Sequence, residues 1–281
     1  MDTHVLLIVL LSAAMHAGWN AVLKTGADRY LSITLIAVCA GVISLVGLPF
    51  VPLPAPAAWP WLALSVLLHV VYNHYLVRAY QVGDLGQMYA IARGTAPLIV
   101  TAVSLMLPGE RPGVTGMAGI GLLALGILVM AARGGHSLTR VSRAAVTAAL
   151  ITSVFIAGYT LSDGIGARSS GSAHAYTLWL FVLDGIAMLA VLSARRGMAG
   201  VRALRPYWRS GLLGGAMSLA AYWVAIWAMT VAPIAMVAAL RETSVLFAAL
   251  ISVVILREPL TRWRVAAAIV ITAGIILMRL G

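Results

Sequence analysis

Charge is what this sequence has least of. Only 10% of its 281 residues are Asp, Glu, Lys or Arg, against 62% apolar residues and a mean hydropathy of +1.00. Water-soluble domains carry about 25% charged residues, so an ordinary soluble globule is excluded. Acids are scarcer still, 8 against 19 bases. The single cysteine, Cys39, lies inside an apolar run, which excludes an internal disulfide and a thiolate metal centre. The sequence also lacks a GxxxxGK[ST] phosphate loop, an HExxH pair, a Cys/His cluster and a GxSxG elbow. Direct ATP coupling and the commoner metal and nucleophile chemistries therefore have no residues to carry them, and neither a metal nor a cofactor is expected.

Long apolar runs are what is present. Crossing a bilayer core of about 30 Å takes roughly 20 apolar residues. Runs of that kind lie near residues 4–24, 30–50, 60–81, 85–107, 113–132, 143–164, 174–194, 210–230, 233–256 and 263–280. Backbone polar groups cannot stay unpaired in hydrocarbon, so the runs must be helices rather than barrel strands. The expected fold is an all-α integral membrane bundle of ten transmembrane helices. The first run ends in "SAAMHA", which resembles a signal-peptide end, but no basic segment precedes it, and we read it as part of the fold.

Basic residues report orientation. Arg93 and Arg241 lie inside runs, and Arg111, Arg168 and Arg279 fall in connectors on one side. All the other Lys and Arg residues, including those of "ARRGMAGVRALRPYWR", fall on the opposite side. Lys and Arg are retained in the cytoplasm during insertion, so both termini are predicted to be non-cytoplasmic in a multi-pass protein of the cell (inner) membrane. The net charge of +11 then follows topology and implies a lipid bilayer, with no nucleic-acid partner.

The chain repeats itself. "HAGWNAVLKTGA" (16–27) aligns with "IAGYTLSDGIGA" (156–167) at an offset of about 140 residues, and "ARGTAPLIVTAVSLMLPGERP" (92–112) with "LRETSVLFAALISVVILREPL" (240–260) at about 148. This register pairs Arg93 with Arg241, Thr95 with Thr243 and Glu110 with Glu258. Residues 1–135 and 143–281 thus form two five-helix repeats, and an odd number of spans makes the second cross the membrane in the opposite sense. Inverted repeats of this kind build secondary transporters, with a binding site near the midplane and alternating access.

Arg93 and Arg241 occupy matching positions well inside spans four and nine. An arginine at membrane depth costs at least about 2.5–3.5 kcal/mol and persists only beside a partner or a wet cavity. Its planar fork suits carboxylate or phosphate oxygens, so one reading is a substrate-anion site and the other a buried salt bridge. Glu242 and Asp184 are the carboxylates expected near mid-depth, for charge balance or proton coupling.

Further polar and aromatic residues share helical faces. His16, Trp19 and Asn20 lie on one face of span one, and His69, Tyr72 and Asn73 on one face of span three. Tyr89 precedes Arg93 by one turn. Tyr159 is the repeat mate of Trp19, and Tyr222 and Trp223 those of His74 and Tyr75. Lipid disfavours such faces, so these residues are expected to line a substrate cavity, with interhelical hydrogen bonding as the plainer alternative. Pro97 is a candidate kink, and the glycines of span five, Gly116, Gly119, Gly121 and Gly126, are candidates for close helix packing.

The segments "AYQVGDLGQMYAIARGTAPLIV", "LPGERPGVTGMAGIGLLALGILVM" and "AMTVAPIAMVAALRETSVLFAALISVVILREPLTRWRVAAAIVITAGIILM" resemble the EamA family of the drug/metabolite transporter superfamily. The resemblance covers nearly the whole chain. It implies an inner-membrane carrier of small metabolites, often an exporter of amino acids or related compounds, with the Glu110 and Glu258 connectors as a structural hallmark. The expected function is secondary transport of a small organic metabolite bearing a carboxylate or phosphate-like group, with protons as a candidate coupling ion and the protein a monomer or homodimer. An integral membrane enzyme acting on a lipid-linked substrate, through His16 and Asn20 or His69 and Asn73, is the rival reading.

Overall fold

The computed structural model describes the chain except residues 1, 25–27, 83–84, 108, 134–142, 255–256, 258–259 and 281, and except the side chains of 21–24, 77–82, 85–90, 131–133, 145 and 252. Eleven α-helices are described: α1 Thr3–Lys24, α2 Arg29–Gly47, α3 Trp59–Val82, α4 Leu85–Ser104, α5 Val114–Arg133, α6 Arg143–Ser169, α7 Ala173–Arg202, α8 Trp208–Val231, α9 Ile234–Arg241, α10 Ser244–Val254 and α11 Arg262–Leu280. No strand occurs among the described residues. Where helices start, short polar side chains satisfy the free amides. Asp28 accepts from the Tyr30 and Leu31 amides at the head of α2 (3.0 and 3.1 Å), and Ser172 from the Ala175 amide at the head of α7 (3.2 Å).

Seven stretches among the described residues are long and apolar enough to cross a membrane, drawn from α1, α2, α6, α7, α8, α9 with α10, and α11. Shorter apolar helices lie at Ile91–Ser104 and Val114–Met130. Large apolar side chains such as Leu7, Leu11, Val46, Ile186 and Ile269 point outward, whereas Arg93, Asp163, Asp184, Arg241 and Glu242 are buried. Oil outside and charge inside is the arrangement a lipid solvent selects.

The helices pack in matching pairs. The α2 helix lies against α7, and α5 against α11; α3 packs on α6 as α1 does on α8, and α4 on α6 as α1 does on α9 and α10. Two pairs close on glycine. A Cβ on Gly41 of α2 would stand 2.9 Å from the Phe181 carbonyl of α7, and one on Gly119 of α5 would stand 2.7 Å from the Gly274 carbonyl of α11. With only lipid as the alternative, this close backbone approach supplies the dispersion contact that holds such helices together.

Polar contacts tie each end of the bundle. At the end holding both chain termini, Arg279 Nη2 donates to Thr3 Oγ1 (2.6 Å) and the Ala55 amide to the Ser170 carbonyl (2.9 Å). There the buried Glu110 carboxylate pairs with Arg168 Nη1 and accepts the Ile234 amide at the head of α9 (2.7 Å). Arg168 also donates to the Met229 and Ala232 carbonyls at the foot of α8 (2.8 and 3.0 Å). At the opposite end Arg196 Nη1 stands 2.5 Å from Asp28 Oδ2.

Candidate functional site

The ninth apolar run was expected as one span, 233–256. It is two helices, α9 and α10, joined by a turn at Glu242 and Thr243. The turn is tight: the Glu242, Thr243 and Val245 amides bond the carbonyls three residues back, at 3.0, 3.1 and 3.1 Å. Val245 thus donates to Glu242, and not to the Arg241 carbonyl, which a continuous α-helix would pair with it. In α4, the residue four after Arg93 is Pro97, which has no N–H to give to the Arg93 carbonyl. A proline in one helix and a tight turn in the other therefore interrupt the backbone ladder at matching arginines.

The two arginines find different surroundings. Arg93, 2% exposed, has its Nε 2.8 Å from Glu242 Oε2 and its Nη2 against His16 Nε2 on α1. A guanidinium only donates, so His16 Nε2 accepts and its Nδ1 carries the hydrogen. Trp19 Nε1 rests 3.2 Å from that Nδ1 and its ring meets His16 edge-on at 5.1 Å. A neutral imidazole has one lone pair, so the tryptophan contact is one of packing.

Arg241, also buried, forms no ion pair among the described residues. Its guanidinium lies over the ring of Tyr222, 4.5 Å from the centroid. Around Tyr222 stands an aromatic group: His69 edge-on at 5.8 Å, Tyr159 at 6.1 Å and Phe181 at 6.2 Å. His69 stacks on Tyr159 at 4.0 Å, and Tyr72 meets Tyr159 at 5.5 Å. Helices α3, α6, α8 and α9 thus bring Tyr72, Tyr159, Tyr222 and Arg241 together.

The other expected residues make their own contacts. Asn20 donates back to the His16 carbonyl of its own helix (2.8 Å), and Asn73 donates to Met188 Sδ on α7 (3.6 Å). Trp223 points away from its neighbour Tyr222 and donates to His174 Nδ1 at the head of α7 (2.7 Å). Asp184 is buried on α7 with an Oδ1 that has no hydrogen-bond partner among the described residues, and the charge it feels most is that of Asp163. Between the two expected carboxylates, Arg93's ion pair is with Glu242. The Tyr89 side chain and the Glu258 motif lie outside the described residues.

Asp163 was not anticipated. It is fully buried on α6, one turn after Tyr159, and both of its oxygens are occupied: Tyr176 donates to Oδ1 (3.1 Å) and Tyr222 to Oδ2. The spacing from Tyr159 was legible in the sequence. A span drawn to end at 164 made the acid look terminal, whereas α6 runs on to Ser169.

An all-helical chain with apolar outer faces and a charged, aromatic interior is a multi-pass membrane protein. The profile of the EamA-like transporter family matches residues 143–280, and the chain belongs to that family. It is also similar in fold to a solved crystal structure of a protein, with 16% identity, 99% of this chain and 96% of that chain covered, and a TM-score of 0.73. No curated protein matches the sequence.

Proposed function

We propose that this protein is a secondary transporter of a small organic metabolite bearing a carboxylate or phosphate-like group, with ten spans in two inverted repeats of five. The mirrored helix pairing and the matched interruptions after Arg93 and Arg241 support the repeat reading. Discontinuous helices at mid-depth are where such transporters hold their ligands.

The observation that carries the substrate class is the contrast between the arginines. Arg93 is neutralised by Glu242, while Arg241 has an aromatic ring beneath it and no carboxylate partner among the described residues. In this reading Arg241 takes the anion by bidentate hydrogen bonds, and Tyr72, Tyr159, Tyr222 and His69 enclose the rest of the solute. The Arg93–Glu242–His16 group fixes α1, α4 and the α9–α10 turn in one arrangement. Rocking of one repeat against the other exposes the site to alternate sides, with net export as the proposed direction and both termini outside the cytoplasm of an inner membrane.

A thermal-shift screen of the purified protein against amino acids, organic phosphates, phosphonates, dicarboxylates and quaternary amines tests this. A ligand of the folded state raises its apparent stability by mass action. Stabilisation by at least one anionic class, lost in Arg241→Gln, is expected; hits confined to quaternary amines would overturn the anion reading.

A further inference from the structure

Five acidic or basic groups besides His16 and His69 lie around Tyr159, Tyr222 and Asp163, and their formal charges do not balance. Arg93 and Glu242 cancel through their ion pair. That leaves Arg241 on the face of Tyr222, Asp163 on its hydroxyl, and Asp184 within electrostatic reach of Asp163. Ionising both aspartates leaves one negative charge in excess, and an anion seated on Arg241 adds another. Uncompensated charge at membrane depth is disfavoured, and a carboxyl group relieves it by taking a proton.

Asp163 is built for that. Ser65 of α3, Tyr176 and Asp184 of α7, Tyr222 of α8 and, across the Tyr222 ring, Arg241 of α9 face it. Arg93 of α4 is committed to Glu242 and contributes no net charge. On the α3 side, His69 Nδ1 donates to the Ser65 carbonyl (2.9 Å) and lies 3.2 Å from the Ser65 hydroxyl. Tyr222 is shared: its ring carries the cation that would meet the solute, and its hydroxyl holds the carboxylate.

We propose that Asp163 is a proton-binding site coupled to anion binding at Arg241, so that seating the anion brings one proton onto Asp163 and the two are carried together. This rests on the transporter reading above. Before the anion arrives, Arg241 stands as the counter-charge to ionised Asp163. The anion neutralises Arg241, the carboxylate loses its counter-charge, and a proton from solvent replaces it, leaving a neutral carboxyl that keeps its tyrosine contacts. Linkage is reciprocal, so protonated Asp163 also favours the anion.

Arg241→Gln mimics the neutralised arginine and needs no knowledge of the solute. The carbonyl stretch of protonated carboxyl groups is followed by infrared spectroscopy against pH in the full-length protein in lipid nanodiscs. The band lost in Asp163→Asn, or moved in Asp163→Glu should the asparagine variant fail to fold, identifies the group. The expected result is that this band persists at least about one pH unit higher in Arg241→Gln than in the unmodified protein, a tenfold change in proton affinity. The same midpoint in both proteins, or no band sensitive to residue 163, overturns the coupling. An anion hit in the thermal-shift screen together with an unmoved midpoint would retain the transporter and remove the coupling; a moved midpoint without any anion hit would leave Arg241 as the counter-charge of Asp163 and overturn both anion binding and its coupling.

Discussion

Arg93 Nε lies 2.8 Å from Glu242 Oε2, an ion pair between α4 and the turn that separates α9 from α10, with both side chains all but closed to solvent. Removing one member of a buried pair leaves the other charge uncompensated and costs about 3–5 kcal/mol. Arg93→Gln and Glu242→Gln are each expected to lower the unfolding temperature sharply in detergent, and the double variant less than their sum. Arg241→Gln, which breaks no ion pair among the described residues, is expected to lower it far less. Thermal unfolding of the four proteins checks the assignment of Arg93 to structure and Arg241 to ligand.

Glu110 joins the α4–α5 connector to the head of α9 and, through Arg168, to the end of α6 and the foot of α8. Glu110→Ala strips the Ile234 amide of its acceptor and Arg168 of its counter-ion, at about 1–3 kcal/mol for an orphaned buried group. Hydrogen exchange at the start of α9 should quicken, while exchange around Asp28, at the opposite end, stays unchanged. Equal quickening at both ends would show that Glu110 supports the whole bundle rather than one end.

Asp28, outside the membrane, gives a pH dependence of known sign. Partial burial opposes its ionisation, yet hydrogen bonds from Arg196 and from the Leu31 and Tyr30 amides outweigh that and hold its carboxyl below the usual range. A group whose proton affinity falls on folding contributes stability above the unfolded carboxylate pKa, near about 4, and loses it as pH drops through the lower folded value. Acid should therefore weaken the α2 cap. Asp28→Asn should flatten this part of the stability profile below about pH 4, as read by thermal unfolding across pH.

What the sequence made legible was set by composition and local spacing. Helicity follows from unbroken apolar runs, and the matched arginines follow from two segments that align without gaps. Tyr159 and Tyr222 were found because aromatic residues recur in both halves. The break at Glu242 and Thr243 carries no proline or glycine, so nothing local announces it; at the break Glu242 meets Arg93 from another helix. Asp163 was overlooked because helix α6 outlasts its apolar run. The partners of Glu110 lie 58 and 124 residues away and emerge only when the helices pack.

The central claim is that Arg241 binds the anionic group of a transported solute. Its most direct test is uptake of labelled carboxylates, phosphonates and organic phosphates into proteoliposomes containing the unmodified protein or Arg241→Gln, with correct folding of both verified by thermal unfolding. Saturable uptake of at least one of these solutes, abolished by a substitution that leaves the protein folded, is the predicted result. Uptake that proceeds equally well without Arg241, or that is confined to cations, would contradict it.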